Sequence, residues 1–391
     1  MTWPLGANFS SMLQNPSMAF RDDDLKKCQI ETSETTNQPI PRSGSFAVVF
    51  KATLADSTER AIRPFTSGVP ERRERYDLIS RELRKKSLSC MVEFDYSDNG
   101  IRSTDGKWYP LVTMEWVRGE ILFSWLHNAC HREDKKALSE VADKWVALVN
   151  ELRTANISHG DLQHANVMVD TAGQLKLVDY DCMYVPSMGS QRKNLEVGVE
   201  PYQHPKRDGN TLLSPDLDNF SALFILVALK ALAADPGLWK RYVCKSKQIE
   251  NCEYEKLLIR REDFENPAGS ELFREFRTSA DPDVGRLAES LLGAFNEPIT
   301  DVPPMFVLLV SSEQLVEALD QGDFDRVVEL IDRRGDDADL PPDLAARIEK
   351  ARRSVKCRIE LERAVQDENE QLIAKCYDPA LLDEYPAAAK A

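Results

Sequence analysis

From Ser45 the run FAVVFKATL alternates β-branched and aromatic residues, and after the turn ADSTE a second strand pattern follows in RAIRPF. Successive side chains of a strand point to opposite faces, so this period of two predicts a hairpin with one buried face. Short β-branched and aromatic runs at 90–96, 100–103 and 108–116 predict further strands. Between them the period lengthens: PERRERYDLISRELRKK opens on Pro70 and spaces Tyr76, Ile79 and Leu83 along one side of a helix. After Gly119 helical spacing dominates, in ILFSWLHNAC and then from about Lys136 to Ala155. Two short apolar strands at 166–169 and 175–178, an irregular segment to about Ser214, and helices complete the chain. Mostly strands followed mostly by helices predicts an α+β fold.

Composition narrows the setting. At 391 residues the chain is long enough for two or three domains, and 42% apolar residues suffice for ordinary cores. No window approaches the ~18 apolar residues of a membrane span; the longest, 222–233, is interrupted by Lys230. The start, MTWPLGANFSSML, lacks a basic segment before an apolar core, so no secretory signal is expected. Eight cysteines stand without C-x-x-C pairs or nearby histidines, which predicts free thiols in a reducing cytoplasm rather than a disulfide framework or a zinc site. A net charge of −15 disfavours nucleic acid and anionic membranes as partners.

The chemistry gathers in HGDLQHANVMVDTAGQLKLVDYD. Asp161 is followed five residues later by Asn166, and Asp179 lies thirteen beyond that, each on a turn flanking the short strand pair. Phosphoryl transfer from ATP needs such a set: one carboxylate orients the attacking hydroxyl, and an amide with a second carboxylate holds Mg²⁺ on the phosphates. The run resembles the protein-kinase superfamily. The resemblance implies a bilobal kinase-like fold, with Asp161 as catalytic base and Asn166 and Asp179 as metal ligands. It implies ATP with Mg²⁺ (or Mn²⁺) as cofactors. It divides the chain into a leader (1–38), an N-lobe (39–117), a C-lobe (118–300) and a helical, repeat-like C-terminal domain (308–391).

In the N-lobe, PRSGSFAVVFKA resembles the phosphate-covering hairpin in Gly44, Ser45, Phe46 and Val49, although Arg42 and Ala47 occupy the outer glycine positions. By the same resemblance Val49 and Ala61 would roof the adenine and Met168 floor it. Glu115 and Val117 would bond the base through their backbones, Met114 would sit behind it, and Glu120 would reach the ribose. The largest departure is Arg63, where the family carries the lysine that pairs the phosphates with a helix glutamate. Arginine is forked and bulkier, so the change is not conservative. Glu82 and Glu74 are candidate partners.

The C-lobe departs too. Gly160 replaces the usual arginine, Gln163 a lysine, and Asp179-Tyr180-Asp181 the Asp-Phe-Gly motif. Gly198–Pro205 (GVEPYQHP) resembles the close of a peptide-binding activation segment, and Asp218 the aspartate that anchors the catalytic loop, although a plain helix-start acid accounts for Asp218 equally. His164 and His204 read as loop residues and His131 as surface. The expected activity is transfer of the γ-phosphoryl group to a protein Ser or Thr. A pseudokinase scaffold is the alternative, and a small-molecule kinase of the aminoglycoside type is a third, resting on HGDL and Gln163. Ala-Ile-Arg, HGDLQHAN and LVDYD together resemble bacterial kinase-like proteins that act beside a phosphatase and a von Willebrand A domain protein, which would be partners along with a protein substrate. Beyond about Pro304 a match at a period of 46 aligns Leu315, Ala318, Leu319 and Val327 with Leu361, Ala364, Val365 and Ile373. With acidic residues outnumbering basic ones, 20 to 12, over 311–391, it predicts helical pairs and a docking surface.

Overall fold

The computed structural model describes residues 3–43, 47–68, 71–189, 191–194, 197–249, 252, 256–310, 312–334 and 340–367. The chain is α+β, rich in sheet toward its N-terminus and helical beyond, an order compatible with two lobes. It divides into two compact units, Met1–Glu265 and Asn266–Ala391.

In the first unit a six-stranded antiparallel sheet runs in the order β1-β3-β4-β6-β5. Its strands are β1 (Gln29–Ile30), β3 (Val48–Thr53), β4 (Glu59–Pro64), β5 (Phe94–Arg102) and β6 (Trp108–Glu115), with β2 (Arg42–Ser43) paired to β3. The runs at 90–96 and 100–103 prove to belong largely to one strand, β5, whose register shifts between Ser97 and Ile101. Register sorts the side chains. Lys51 pairs with Ala61, and Phe50 with Ile62, so Val49, Ala61 and Arg63 share one face while Val48, Phe50, Ala52 and Ile62 share the other.

That second face is covered by residues read from sequence as a leader. Helices α1 (Gly6–Leu13) and α2 (Pro16–Ala19) and the turn after them bury Phe9, Leu13, Phe20, Leu25 and Cys28 against Val48, Phe50, Ile62 and Ile101. The i,i+4 spacing of Phe9 and Leu13 gives α1 its one apolar face, and the polar stretch near residue 35 follows it rather than defining the whole segment.

Helix α3 (Arg72–Lys86) buries Tyr76 and Ile79. After β6, a second antiparallel sheet follows the order β7-β8-β9, made of β7 (Gly119–Ile121), β8 (Val167–Asp170) and β9 (Leu175–Leu177). Around it lie α4 (Leu122–His131), α5 (Lys135–Thr154), capped by Asp134 on Ala137, then α6 (Asn219–Ala234) and α7 (Gly237–Tyr242). Helix α6 is apolar on all sides and packs on α5, where the Trp145 indole donates to the Ala222 carbonyl at 3.0 Å. Together with the turn before it, Pro215–Ala234 is long and apolar enough to cross a membrane, and 78% of that window is buried inside the protein. The stretch at 222–233 is thus a buried core helix, as its length and Lys230 predict, although with the residues before it the segment is apolar enough to pass for a span by length and composition.

The second unit is helical. Among its helices, Ser312–Asp320 and Phe324–Arg334 form a pair about Gly322, whose φ of 69° suits the turn, and Pro342–Gln366 is one long helix. Leu315, Leu319, Val327, Ile331 and Ile348 build its core. Of the 46-residue match, Ala318 and Ala364 are both buried, Leu319 is buried whereas Val365 is 55% exposed, and Ile373 lies outside the described residues.

Candidate functional site

The turn between α5 and β8 carries Asp161 and is held from three sides. Asp218 sits at the start of α6 but caps no helix N–H. Its buried carboxylate accepts from the backbone N–H groups of His159 (2.5 Å) and Gly160 (2.8 Å), and burial raises its pKa. His159 donates from Nε2 to the Val178 carbonyl at 3.0 Å and accepts at Nδ1 from the Asp161 N–H at 3.3 Å, tying this turn to the end of β9. Gly160 has a φ of +78°, and a Cβ there would lie 2.2 Å from the Cys182 carbonyl oxygen. No side chain fits, which is the physical reason arginine is missing from this position.

Three amides surround the Asp161 carboxylate. Gln163 (2.8 Å) and Asn166 (2.9 Å) donate to Oδ2, and Gln203 to Oδ1 at 3.4 Å. Gln203 belongs to the segment that opens on Gly198, where a Cβ would meet Asp161 Oδ1 at 2.7 Å. The Gly198–Pro205 stretch thus lies against Asp161, fixed by Tyr202, whose hydroxyl bonds His164 and accepts from Leu257 N at 3.0 Å. His164 and His204 are loop residues, yet 2% and 4% exposed.

Asn166 also donates to the Asp161 backbone oxygen at 2.8 Å, and its side-chain oxygen accepts from no described residue. Its backbone oxygen accepts from Val178 N at 3.0 Å, which brings Asn166 beside Asp179 across the β8–β9 turn. Asp179 has a φ of +68°, an uncommon conformation for a non-glycine residue and one that recurs at functional turns.

Arg63 reaches this turn. Its Nη2 donates to Asp179 at 2.8 Å and to Asp181 at 2.7 Å, and its Nη1 to the Tyr76 hydroxyl at 3.1 Å. Tyr76 in turn donates to Asp181 at 2.5 Å. Neither candidate glutamate is involved: Glu82 lies 3.7 Å and 3.8 Å from Lys85 and Lys86, and Glu74 pairs with Arg192. The helix partner is a tyrosine, which sequence reasoning had placed only in the core, and Asp181 was seen only as a lost glycine. Burial drives the Asp181 carboxyl upward, but Arg63, Tyr76 and Arg72 outweigh it and hold it below the usual value. For Asp179 burial wins over Arg63, with Asp181 adding to the rise. The Asp179 side chain is 41% exposed against 13% for Asp181, so water screens it more and the tight charge pairing rests on Arg63 with Asp181.

The donor set suits a hard divalent cation. A free amide oxygen on Asn166 and a carboxylate on Asp179 are the oxygen ligands Mg²⁺ prefers. Two carboxylates sharing one guanidinium leave a net negative charge beside Asp161 to balance it.

The nucleotide positions are more dispersed. Gly44, Ser45 and Phe46 lie outside the described residues. Val49, Ala61 and Met168 are half-buried and Met114 is buried. Glu115 and Val117 line a cavity of about 360 Å³ with Trp116, Asp170 and Lys176, and Val49, Ala61 and Met168 are not in its wall. Glu120 accepts from Asn128 at 2.8 Å. Gly119, which the sequence marks only as the start of helical spacing, has a tighter role: a Cβ there would lie 2.0 Å from the Val169 carbonyl oxygen, so only glycine lets β7 approach β8.

No protein-family model matches the chain. It is 26% identical over 144 residues to the leucine-rich repeat receptor-like protein kinase PXC2 of Arabidopsis thaliana, a match covering 35% of this chain and 14% of that protein. It is 26% identical over 95 residues to sperm motility kinase 2A of Mus musculus, covering 24% of this chain and 18% of that protein. The matches span less than a fifth of either relative's length. Over part of its length the chain is similar to protein kinases of a plant and a mouse, and the likeness is kinase-like in general rather than to any one activity.

Proposed function

We propose that the chain is an ATP-dependent protein kinase acting on Ser or Thr hydroxyls. The observation that carries this reading is the Asp161 carboxylate held by three amides on a loop pinned by Asp218, with Asn166 and Asp179 beside it. Asp161 would accept a hydrogen bond from the acceptor hydroxyl, orient its oxygen and take its proton as the phosphoryl group transfers. Asn166 and Asp179 would hold Mg²⁺, which supplies charge neutralisation of the phosphates. Arg63, kept in place by Asp181 and Tyr76, would direct positive charge toward the same phosphates. Catalysis would be positional and electrostatic, with no covalent intermediate. The closeness of Gly198 and Gln203 to Asp161 favours a peptide acceptor over a metabolite.

The competing reading is a pseudokinase scaffold, and one observation favours it: Arg63 donates to the carboxylate proposed as metal ligand. Transfer from γ-labelled ATP to a generic protein acceptor or to the chain itself, with Mg²⁺ or Mn²⁺, separates the two. We expect Asp161→Asn and Asp179→Asn to lose at least about 100-fold in rate, the lower end of what general-base removal costs. Wild-type transfer no greater than that of Asp179→Asn would end the enzyme reading.

A further inference from the structure

Away from that site, groups that look unrelated in sequence converge. Cys244 and Cys252, after α7, form a disulfide. His127 on α4 brings Nδ1 to 3.6 Å from Cys252 Sγ, across a separation of 125 residues. One ligand atom from each of His127, Cys244 and Cys252 lies within 4.8 Å of the others. The expectation of free thiols without histidine partners is wrong here, because the spacing that hides the cluster in sequence is closed by the packing of α4 against α7. Cys28, Cys90, Cys130, Cys182 and Cys357 are buried and form no disulfide among the described residues.

The tautomers are fixed by the surroundings. His127 Nε2 lies 3.0 Å from the Lys247 carbonyl, which can only accept, so Nε2 carries the proton and Nδ1 the lone pair. The Trp239 indole N–H, a donor only, points at that Nδ1 from 3.3 Å and requires the same tautomer. One helical turn on, His131 repeats the pattern. Its Nε2 is 2.9 Å from the Ser246 carbonyl, its ring centre 4.5 Å from that of His127, and its buried Nδ1 has no partner among the described residues. It is half-buried rather than a surface residue. Imidazoles whose second nitrogen donates to a backbone carbonyl are arranged as metal-bound histidines are. With Zn–N near 2.0–2.1 Å and Zn–S near 2.3 Å, tetrahedral zinc separates a nitrogen and a sulfur ligand by about 3.5 Å. That agrees with the 3.6 Å between His127 Nδ1 and Cys252 Sγ. Two thiolates on one zinc stand about 3.8 Å apart, so the sulfur–sulfur bond must open first.

We propose that the reduced pair Cys244 and Cys252, with His127 Nδ1, binds Zn²⁺, and that the disulfide is the metal-free form. The chemistry balances with a dithiol reductant: it gives two electrons and two protons to the S–S bond, becomes a disulfide itself, and leaves two thiols. Zn²⁺ then displaces both thiol protons. A nitrogen and sulfur donor set selects zinc over magnesium, so this site does not compete for the metal of the phosphoryl-transfer proposal. Metal binding takes the Nδ1 acceptor from the Trp239 N–H and clamps α4 to the segment after α7.

The test uses the full chain, fully reduced in one sample and fully oxidised in another, with zinc measured after gel filtration and Co²⁺ as the spectroscopic substitute. Reduced wild type should retain one zinc per chain, and its cobalt form should show sulfur-to-metal charge transfer with intense tetrahedral d–d bands; oxidised wild type should retain none. Cys252→Ser should weaken binding by more than about 100-fold, beyond what outer partners contribute. Zinc retention by reduced wild type no greater than by oxidised wild type or by Cys244→Ser/Cys252→Ser would overturn the proposal and leave a structural disulfide only. The comparison of two redox states of wild type requires no variant to fold.

Discussion

Replacing Arg63 by methionine keeps most of the side chain's apolar length and removes the one guanidinium between Asp179 and Asp181. The Arg63 and Asp181 side chains are 8% and 13% exposed, so the pair is nearly dry. Stripping one partner from a buried ion pair costs about 3–5 kcal/mol, because the remaining charge stays buried. Asp179, at 41% exposure, adds only about 0–1 kcal/mol after screening. We expect a loss of about 3–5 kcal/mol at pH 8. The sign with pH follows from the Asp181 carboxyl, which the folded protein holds below its ordinary value of 3.8. Its stabilisation is present above pH ~4 and disappears as pH falls through the folded value. Without Arg63 the same carboxyl is destabilised as an anion and takes up a proton more readily, so the deficit shrinks on acidification and wild type and variant converge below pH ~4. Urea unfolding read through hydrogen exchange in α3 measures this at several pH values, and the double variant Arg63→Met/Asp181→Asn should recover most of the loss. A deficit under about 1 kcal/mol at pH 8, or one that does not shrink between pH 8 and pH ~3, would refute the reasoning.

Two further substitutions probe the framework. Gly160→Ala places a Cβ 2.2 Å from the Cys182 carbonyl at a φ of +78°; with about 1–2 kcal/mol from the left-handed conformation alone, the overlap should push the loss beyond about 2 kcal/mol, measured by urea unfolding, and displace Asp161. Phe9→Ala removes a fully buried ring from the cluster over β3, β4 and β6 and should cost about 3–5 kcal/mol, checked by thermal unfolding; a loss near zero would show that residues 6–13 are dispensable to that sheet.

What could be read from the chain was local. Asp161, Asn166 and Asp179 sit on turns of one short hairpin, so spacing alone brings them together, and the structure ties them through Val178 N to Asn166 O and His159 to Val178 O. Arg63 was visible as a departure, but its partners were not. Tyr76 satisfies the same apolar periodicity as Ile79, and periodicity carries no information about where a hydroxyl points. Asp181 could be noticed only as something other than glycine. The His127 cluster was hidden by the same long-range closure that buries Phe9 beneath β3: neither pattern repeats locally, and both depend on which helix face meets which loop. The reading of Asp218 shows the converse. Its position at a helix start allowed two roles, and geometry decides between them, because the carboxylate turns away from the helix to the N–H groups of His159 and Gly160.

Arg63 and Asp181 make most sense together under the proposed function. Asp161, Asp179 and Asp181 bring three negative charges to the turn and Arg63 one positive, so a divalent cation neutralises the group without expelling the guanidinium. A metal drawing on Asp179 would weaken that carboxylate's bond to Arg63. Arg63 would then still hold Asp181 and the Tyr76 hydroxyl, both of which it already contacts. An arginine beside a lone metal carboxylate would have to choose between blocking the metal and losing its buried partner, at about 3–5 kcal/mol. With Asp181 two residues after Asp179 it has no such choice. The two departures from the kinase-like pattern, arginine on β4 and aspartate in place of the glycine, therefore pair with each other, and Asp181 gives the guanidinium a partner that it keeps when a metal draws on Asp179.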